Sequence, residues 1–206
     1  MQMVSFPSSL DEIGRLIASC TLCDLYMFRK NPVPGEGSPD ADLMLIGEAP
    51  GRTEDETGRP FVGSAGKILD EALAKAGLSR EVVYITNVVK CRPPNNRDPR
   101  PEEVRACSPY LEAQVRIISP KVILTLGRHS TGLVFSWAGL PFRSIMAVRG
   151  RARRVEVLGL RVTVVPTVHP AACLYNPRLR PLLEEDVKLA SRLSRGMGLE
   201  GSLELE

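Results

Sequence analysis

The chain has 206 residues, 43% hydrophobic and 25% charged, with a net charge of +3, the profile of an ordinary globular domain able to bury one sizeable core. No apolar run approaches the roughly 20 residues that span a membrane. The N-terminus also lacks a basic region leading into an apolar stretch, so a soluble cytoplasmic protein is expected. Within the basic set, 21 Arg stand against 6 Lys. Arg grips phosphate bidentately and stacks on bases, although heat adaptation produces a similar bias.

In chain order, residues 8–19 read as a short amphipathic helix with Leu10, Ile13, Leu16 and Ile17 on one face and Ser8 or Ser9 as its cap. It delivers Cys20 and Cys23, and a Pro- and Gly-rich loop follows over residues 31–39. A buried strand is expected from Leu43 through Ile46, then a polar loop over residues 47–63. Residues 67–76 form a helix with Ile68, Leu69, Ala72, Leu73 and Ala76 on one face and Gly77 as its stop. Residues 82–89, rich in β-branched side chains, read as the second strand. A proline-broken stretch then leads into a long helix, Pro101–Ile118, with Pro at its start and acids in its first turn.

Val122–Leu126 reads as a third strand, ended by Gly127 and followed by a short helix to about Trp137. Residues 144–157 suggest a hairpin or loop insert, residues 161–167 a fourth core strand, and residues 181–193 a closing helix. Strands alternating with helices at βαβ spacing predict an α/β fold, a mostly parallel four-stranded sheet with helices on both faces. Residues 1–195 are expected to form a single domain, and residues 196–206 a fraying tail.

Parallel strands share one carboxyl edge, where open α/β sheets bind ligands. Gly47-Glu48, Asn87 and His169 all fall there, so they can converge despite their distance in sequence. The loop after the first strand supplies glycines that permit close backbone approach, an acid and one aromatic, Phe61, a set suited to a small planar ligand. Of five cysteines, Cys20 and Cys23 form a C-x2-C pair, and Cys91 and Cys107 stand 16 apart. In a cytosolic chain this points to a metal centre. Zinc is the first guess from spacing alone, although structural zinc sites often use two close pairs, and four thiolates can equally hold a [4Fe–4S] cluster. Cys173 reads as a small core hydrophobe.

Residues 43–66, with Gly47-Glu48-Ala49-Pro50-Gly51 and Gly58-Arg59-Pro60-Phe61-Val62-Gly63, resemble motif A of the uracil-DNA glycosylase superfamily. They are most similar to the family 4 enzymes, which carry an iron–sulfur cluster. His169-Pro170-Ala171 stands where that family usually has His-Pro-Ser, and the resemblance runs from about Cys20 to the last helix. It implies a monofunctional enzyme that flips uracil out of DNA and hydrolyses its N-glycosidic bond, leaving an abasic site. It also implies a structural [4Fe–4S] cluster on Cys20, Cys23, Cys91 and Cys107.

By the same resemblance Phe61 would stack on the flipped base. Asn87 would pair with its O4 and N3–H, an edge that cytosine does not offer. His169 would donate to O2 as charge builds there. The backbone of Gly47, Glu48 and Ala49 would contact the base, and the Glu48 carboxylate would act in catalysis. Glu54 and Asn96 match positions that can help place water. Ala171 removes a hydroxyl that could orient the loop.

Arg52, Arg59, Lys90, Arg92, Arg97 and the cluster of Arg149, Arg151, Arg153 and Arg154 flank these loops as candidate phosphate contacts. The expected partner is uracil-containing DNA, met by a monomer with no membrane association and no legible sliding-clamp motif. A relaxed-specificity relative would typically lack the motif A acid, whereas Glu48 is present. An iron–sulfur redox sensor or nucleic-acid-binding module would use the cysteines and arginines, yet would leave the four strand-end residues unexplained.

Overall fold

Glu36 to Thr167 builds one six-stranded sheet in the order β1-β3-β2-β4-β6-β5. The computed structural model describes residues 7–197. The four expected core strands are its parallel centre: β2 (Leu43–Gly47), β3 (Tyr84–Asn87), β4 (Val122–Leu126) and β6 (Leu160–Thr167). Every residue of β2, β3 and β4 is buried, as parallel strands covered on both faces require.

Helices α3 (Ser64–Lys75) and α8 (Arg180–Ser194) cover one face, packing Ile68, Leu69, Leu73, Leu183 and Val187 on Leu45 and Leu124. Helices α4 (Pro101–Ile118) and α5 (Arg128–Trp137) cover the other, where Leu111, Val115 and Phe135 meet Met44, Ile46 and Ile123. The first helix, α1 (Leu10–Ala18), is capped by Ser9 and buries Ile13 and Ile17 against Ala113.

The sheet has six strands rather than the four expected, because an antiparallel strand is added at each edge. Strand β1 is only Glu36–Gly37, paired with β3. No periodicity marks so short a piece. It fits because Gly37, at φ 123°, has no Cβ to strike the Val83 carbonyl. Residues 144–157, expected to form a hairpin or loop insert of their own, hold a four-residue helix and strand β5 (Arg153–Val157), whose hairpin with β6 joins the sheet. Its two-residue turn, Leu158-Gly159, has positive φ at both positions, which suits the strand twist.

A six-residue helix, α2 (Arg52–Thr57), replaces part of the polar loop. It is too short to show an apolar stripe. Glu54 Oε2 accepts the Gly51 N–H at 3.1 Å at its start, and Gly58 ends it at φ 71°. The short helices α6 (Ile145–Val148) and α7 (Ala172–Tyr175) complete the set. Of the expected tail, Gly196 and Met197 close the end of α8 through bonds to the Leu193 and Arg192 carbonyls. Residues 198–206 lie outside the described residues.

Candidate active site

The carboxyl ends of β2, β3, β4 and β6 lie side by side on one edge. Gly47 and Asn87 are register partners there. A Cβ on Gly47 would collide with Asn87 Oδ1 and with the Phe61 ring, so the missing side chain is what lets amide and aromatic close on the strand end. Asn87 is 1% exposed, and its Oδ1 has no hydrogen-bond partner. A buried acceptor left unpaired costs on the order of 1–3 kcal/mol, so an orphan at the strand end marks a place where a ligand donor fits.

Phe61 is buried, at φ 51°, a left-handed conformation rare for a bulky residue. Its surroundings hold it there. Arg80 Nη1 donates to the Phe61 carbonyl at 3.1 Å, Arg80 Nη2 donates to that of Pro60, and a Cβ on Gly66 would collide with the Phe61 carbonyl. The ring centroid stands 5.7 Å from that of His169, tilted by 34°.

His169 follows β6, seated against Gly127 at the end of β4; a Cβ on Gly127 would come within 2.9 Å of its Cβ. The Ala171 N–H donates to His169 Nδ1 at 3.1 Å. That bond leaves the imidazole proton on Nε2, the atom free to donate. Burial pushes the His169 pKa down to about 4, helped by the charge of His129 and opposed by Glu54, so the ring is neutral at physiological pH. Orientation comes from a backbone N–H, which Ala171 supplies as well as Ser would.

Glu48 is half-buried beyond Gly47, and its carboxyl is pushed up by burial. His129 and Arg128 pull it down, while Asp98 pushes it further up. Glu48 Oε2 lies 3.7 Å from His129 Nε2, which lies 3.5 Å from Asp98 Oδ2. Arg128 Nε donates to the same nitrogen at 3.1 Å, and Arg128 Nη2 pairs with Asp98. His129 was not among the expected site residues. The signal was present, however: Gly127-Arg128-His129 leaves β4 at the same sheet edge that singled out the other three loops.

Glu54 and Asn96 stand apart in chemistry. Glu54 is 9% exposed, and its carboxylate accepts the N–H groups of Val62 (2.9 Å), Gly63 (2.7 Å) and Gly51 (3.1 Å). Both oxygens are thus engaged in holding the loop that carries Phe61. Asn96 is exposed, and its Oδ1 accepts from Arg92 Nε at 2.8 Å.

Several expected phosphate contacts are engaged elsewhere. Lys90 is 1% exposed, donating to Thr86 Oγ1, the Asn87 carbonyl and Gln114 Oε1 at 2.6–2.8 Å. Arg149 is paired with buried Asp186, and Arg97 with buried Glu103. Arg59 pairs with Glu36, and Arg52 with Glu56. Sequence reading placed these charges near the edge but could not see the acids and carbonyls that meet them. Arg151 and Arg154 are exposed, as are Leu174 and, at 89%, Tyr175, just past His169.

Cys20, Cys23, Cys91 and Cys107 line a single pocket with Ile17, Leu25, Val89 and Tyr110. Arg29 Nη1 donates to Cys91 Sγ at 3.1 Å and the Lys90 N–H to Cys107 Sγ at 3.3 Å. Burial pushes up the thiols of Cys23 and Cys91, and that of Cys107 to about 12. Among the described residues, only Glu48, Asp98 and His129 bring three ligand atoms within 4.8 Å of one another. Cys173 is buried in the opposite core layer.

Residues 34–189 match the family model described as the uracil DNA glycosylase superfamily. The type-4 uracil-DNA glycosylase of Sulfurisphaera tokodaii is 54% identical over 187 residues, covering 90% of this chain and 85% of the relative. That of Saccharolobus solfataricus is 52% identical over 181 residues, covering 87% and 84%. That of Archaeoglobus fulgidus is 52% identical over 185 residues, covering 90% and 93%.

Proposed function

The chain belongs to the uracil DNA glycosylase superfamily, and from that premise we propose that it excises uracil from DNA as a monofunctional glycosylase, leaving an abasic site for base excision repair. The observation that carries this reading is the unpartnered Asn87 Oδ1. Uracil N3–H donates to that oxygen, and the amide NH₂ donates to O4. Cytosine presents an acceptor and a donor at the same two places and leaves both groups mismatched.

The base must leave its stack before its edge can be read. Phe61, anchored in its unusual conformation, supplies the flat face on which the flipped ring rests. The C1′–N1 bond then breaks with both electrons passing to the base. His169 Nε2–H donates to O2, where the negative charge collects. A neutral imidazole suits this role because it stabilises charge without a full proton transfer. Positive charge develops at C1′, and the Glu48 carboxylate supports it and orients the water. Water adds to C1′ and loses a proton, and the departing base takes one up.

In this reading Glu54 holds the Phe61 loop in place, and Asn96 orders the 92–96 turn through Arg92. Gly47 and Ala49 contribute backbone approach to the base. The exposed Tyr175, Leu174, Arg151 and Arg154 belong to the DNA-facing side, where aromatic stacking and phosphate contact suit nucleic acid.

Cys20, Cys23, Cys91 and Cys107 would hold a structural [4Fe–4S] cluster. The support is that all four thiols line one apolar pocket, with two N–H donors aimed at sulfur. These residues tie the segment after α1 to the turn that follows Asn87. We further propose a monomeric, cytoplasmic enzyme without membrane association. Among the described residues no helix is long and apolar enough to cross a membrane.

Excision from a labelled oligonucleotide carrying one uracil, with thymine, cytosine and hypoxanthine controls, tests the activity. Cleavage at uracil alone is expected after alkaline treatment, lost in Asn87→Ala and His169→Ala variants that still fold and bind DNA. Undiminished excision by both variants would overturn the site. Purified protein should absorb near 400 nm and carry about four irons per chain. A colourless, zinc-loaded protein would overturn the cluster.

A further inference from the structure

The mechanism above uses Glu48 but leaves unexplained the three charged or titratable groups gathered beside it. His129 Nε2 stands 3.7 Å from Glu48 Oε2, 3.5 Å from Asp98 Oδ2 and 3.1 Å from Arg128 Nε. These groups come from three different parts of the chain: the loop after β2, the loop before α4 and the first turn of α5. Their convergence is therefore a product of the fold. We propose that His129 is a positioning residue that, with Asp98 and Arg128, fixes the orientation and charge of the Glu48 carboxylate for glycosidic bond cleavage. The proposal rests on the excision reading given above.

A half-buried carboxylate needs a nearby cation to stay ionised. The cluster supplies one in either form of the imidazole. With Nε2 bare, His129 accepts from Arg128, and the guanidinium is the cation near Glu48. With Nε2 protonated, the imidazolium itself faces Glu48 and Asp98. Asp98 pairs with Arg128 and stands beside His129, so it holds both cationic groups in place while adding a like charge near Glu48. The groups facing His129 are thus Glu48, Asp98 and Arg128, with His169 the next titratable group. A charge on His129 favours an ionised Glu48 and a neutral His169 at once. Those are the two states that cleavage requires.

The test is the pH dependence of single-turnover uracil excision in His129→Gln, His129→Lys and Asp98→Asn. All three lie at partly exposed positions and should melt near the parent temperature. His129→Gln removes the imidazolium form, leaves Arg128 as the remaining cation beside Glu48, and should move the acid limb upward. Restoring a charge in His129→Lys should bring it back. Asp98→Asn removes a like charge and should move it downward. Opposite movements are a result that a purely structural role does not produce. Limbs that stay in place, or rates that fall with no movement of the limb, overturn the proposal.

The Glu48 titration followed by carboxylate ¹³C NMR without DNA should move in the same directions. This readout separates the two ideas. A parent enzyme that excises nothing sinks the excision reading, whereas a Glu48 titration indifferent to His129→Gln sinks this one alone.

Discussion

Replacing Glu54 asks whether the α2 carboxylate takes part in chemistry or holds the loop. Its two oxygens accept three backbone N–H groups, those of Val62 and Gly63 on Oε1 and that of Gly51 on Oε2. Glu54→Ala leaves all three donors without a partner in a largely buried setting. Hydrogen bonds to a charged group contribute about 1.5–3 kcal/mol each, and they do not add fully. A loss of roughly 3–5 kcal/mol is therefore expected. For a chain of this size each kcal/mol lowers Tm by about 2–4 °C, so the variant should melt roughly 6–20 °C below the parent. Glu54→Gln keeps an acceptor for Val62 and Gly63 but turns an NH₂ toward the Gly51 N–H. It should lose about a third as much. Excision should fall with stability, because Val62 and Gly63 directly follow Phe61 and fix its left-handed backbone. Thermal melts followed by single-turnover excision on the same samples decide the matter. If Glu54→Ala melts with the parent yet excises nothing, the carboxylate acts on substrate and the scaffold argument fails.

Gly47→Ala should fold but lose at least about a hundredfold in excision, since the added methyl displaces Asn87 Oδ1 and the Phe61 ring together and misplacements of this size carry such penalties; near-parent rates would refute the close-approach argument. Lys90→Met should destabilise the protein, because three buried acceptors lose their donor. It should leave the salt dependence of DNA binding unchanged, whereas losing one phosphate contact would lower the slope by about one. The third concerns pH. His169 is neutral in the folded protein down to about pH 4, whereas an unfolded histidine takes up its proton near pH 6.5. Across that window the unfolded chain binds more protons, so stability falls as pH is lowered. His169→Gln should flatten this part of the stability curve, and denaturant midpoints measured at several pH values check it.

Much of the fold was legible because its signals are local. Strands β2, β3, β4 and β6 are continuous apolar or β-branched runs, and helices α3, α4 and α8 show apolar positions at helical spacing. The elements that escaped notice have no such signal. Strand β1 is two residues long and exists because β3 offers it an edge. Helix α2 is six residues without an apolar face, held by a glutamate that also reaches Val62 and Gly63. The α/β class and the sheet's parallel centre therefore follow from pattern, whereas its edges follow from what lies alongside.

The same division runs through the site. That Gly47, Glu48, Asn87 and His169 share one edge was determined by the sequence itself, because parallel strands must end on the same side. The C-x2-C pair likewise pointed to a thiol-lined site, and the fold brings Cys20, Cys23, Cys91 and Cys107 to one pocket. Only the tertiary structure decided which charges stay free. Lys90, Arg97 and Arg149 look like phosphate grips in one dimension, but Lys90 is claimed by Thr86, Asn87 and Gln114, Arg97 by Glu103 and Arg149 by Asp186. It also brought three backbone N–H groups to the Glu54 carboxylate and His129 to face Glu48. Hydrogen-bond and ion-pair partners are set by distances of about 3–4 Å in space, whether the residues are six apart, as Arg97 and Glu103 are, or 37, as Arg149 and Asp186 are, a quantity that no local pattern records.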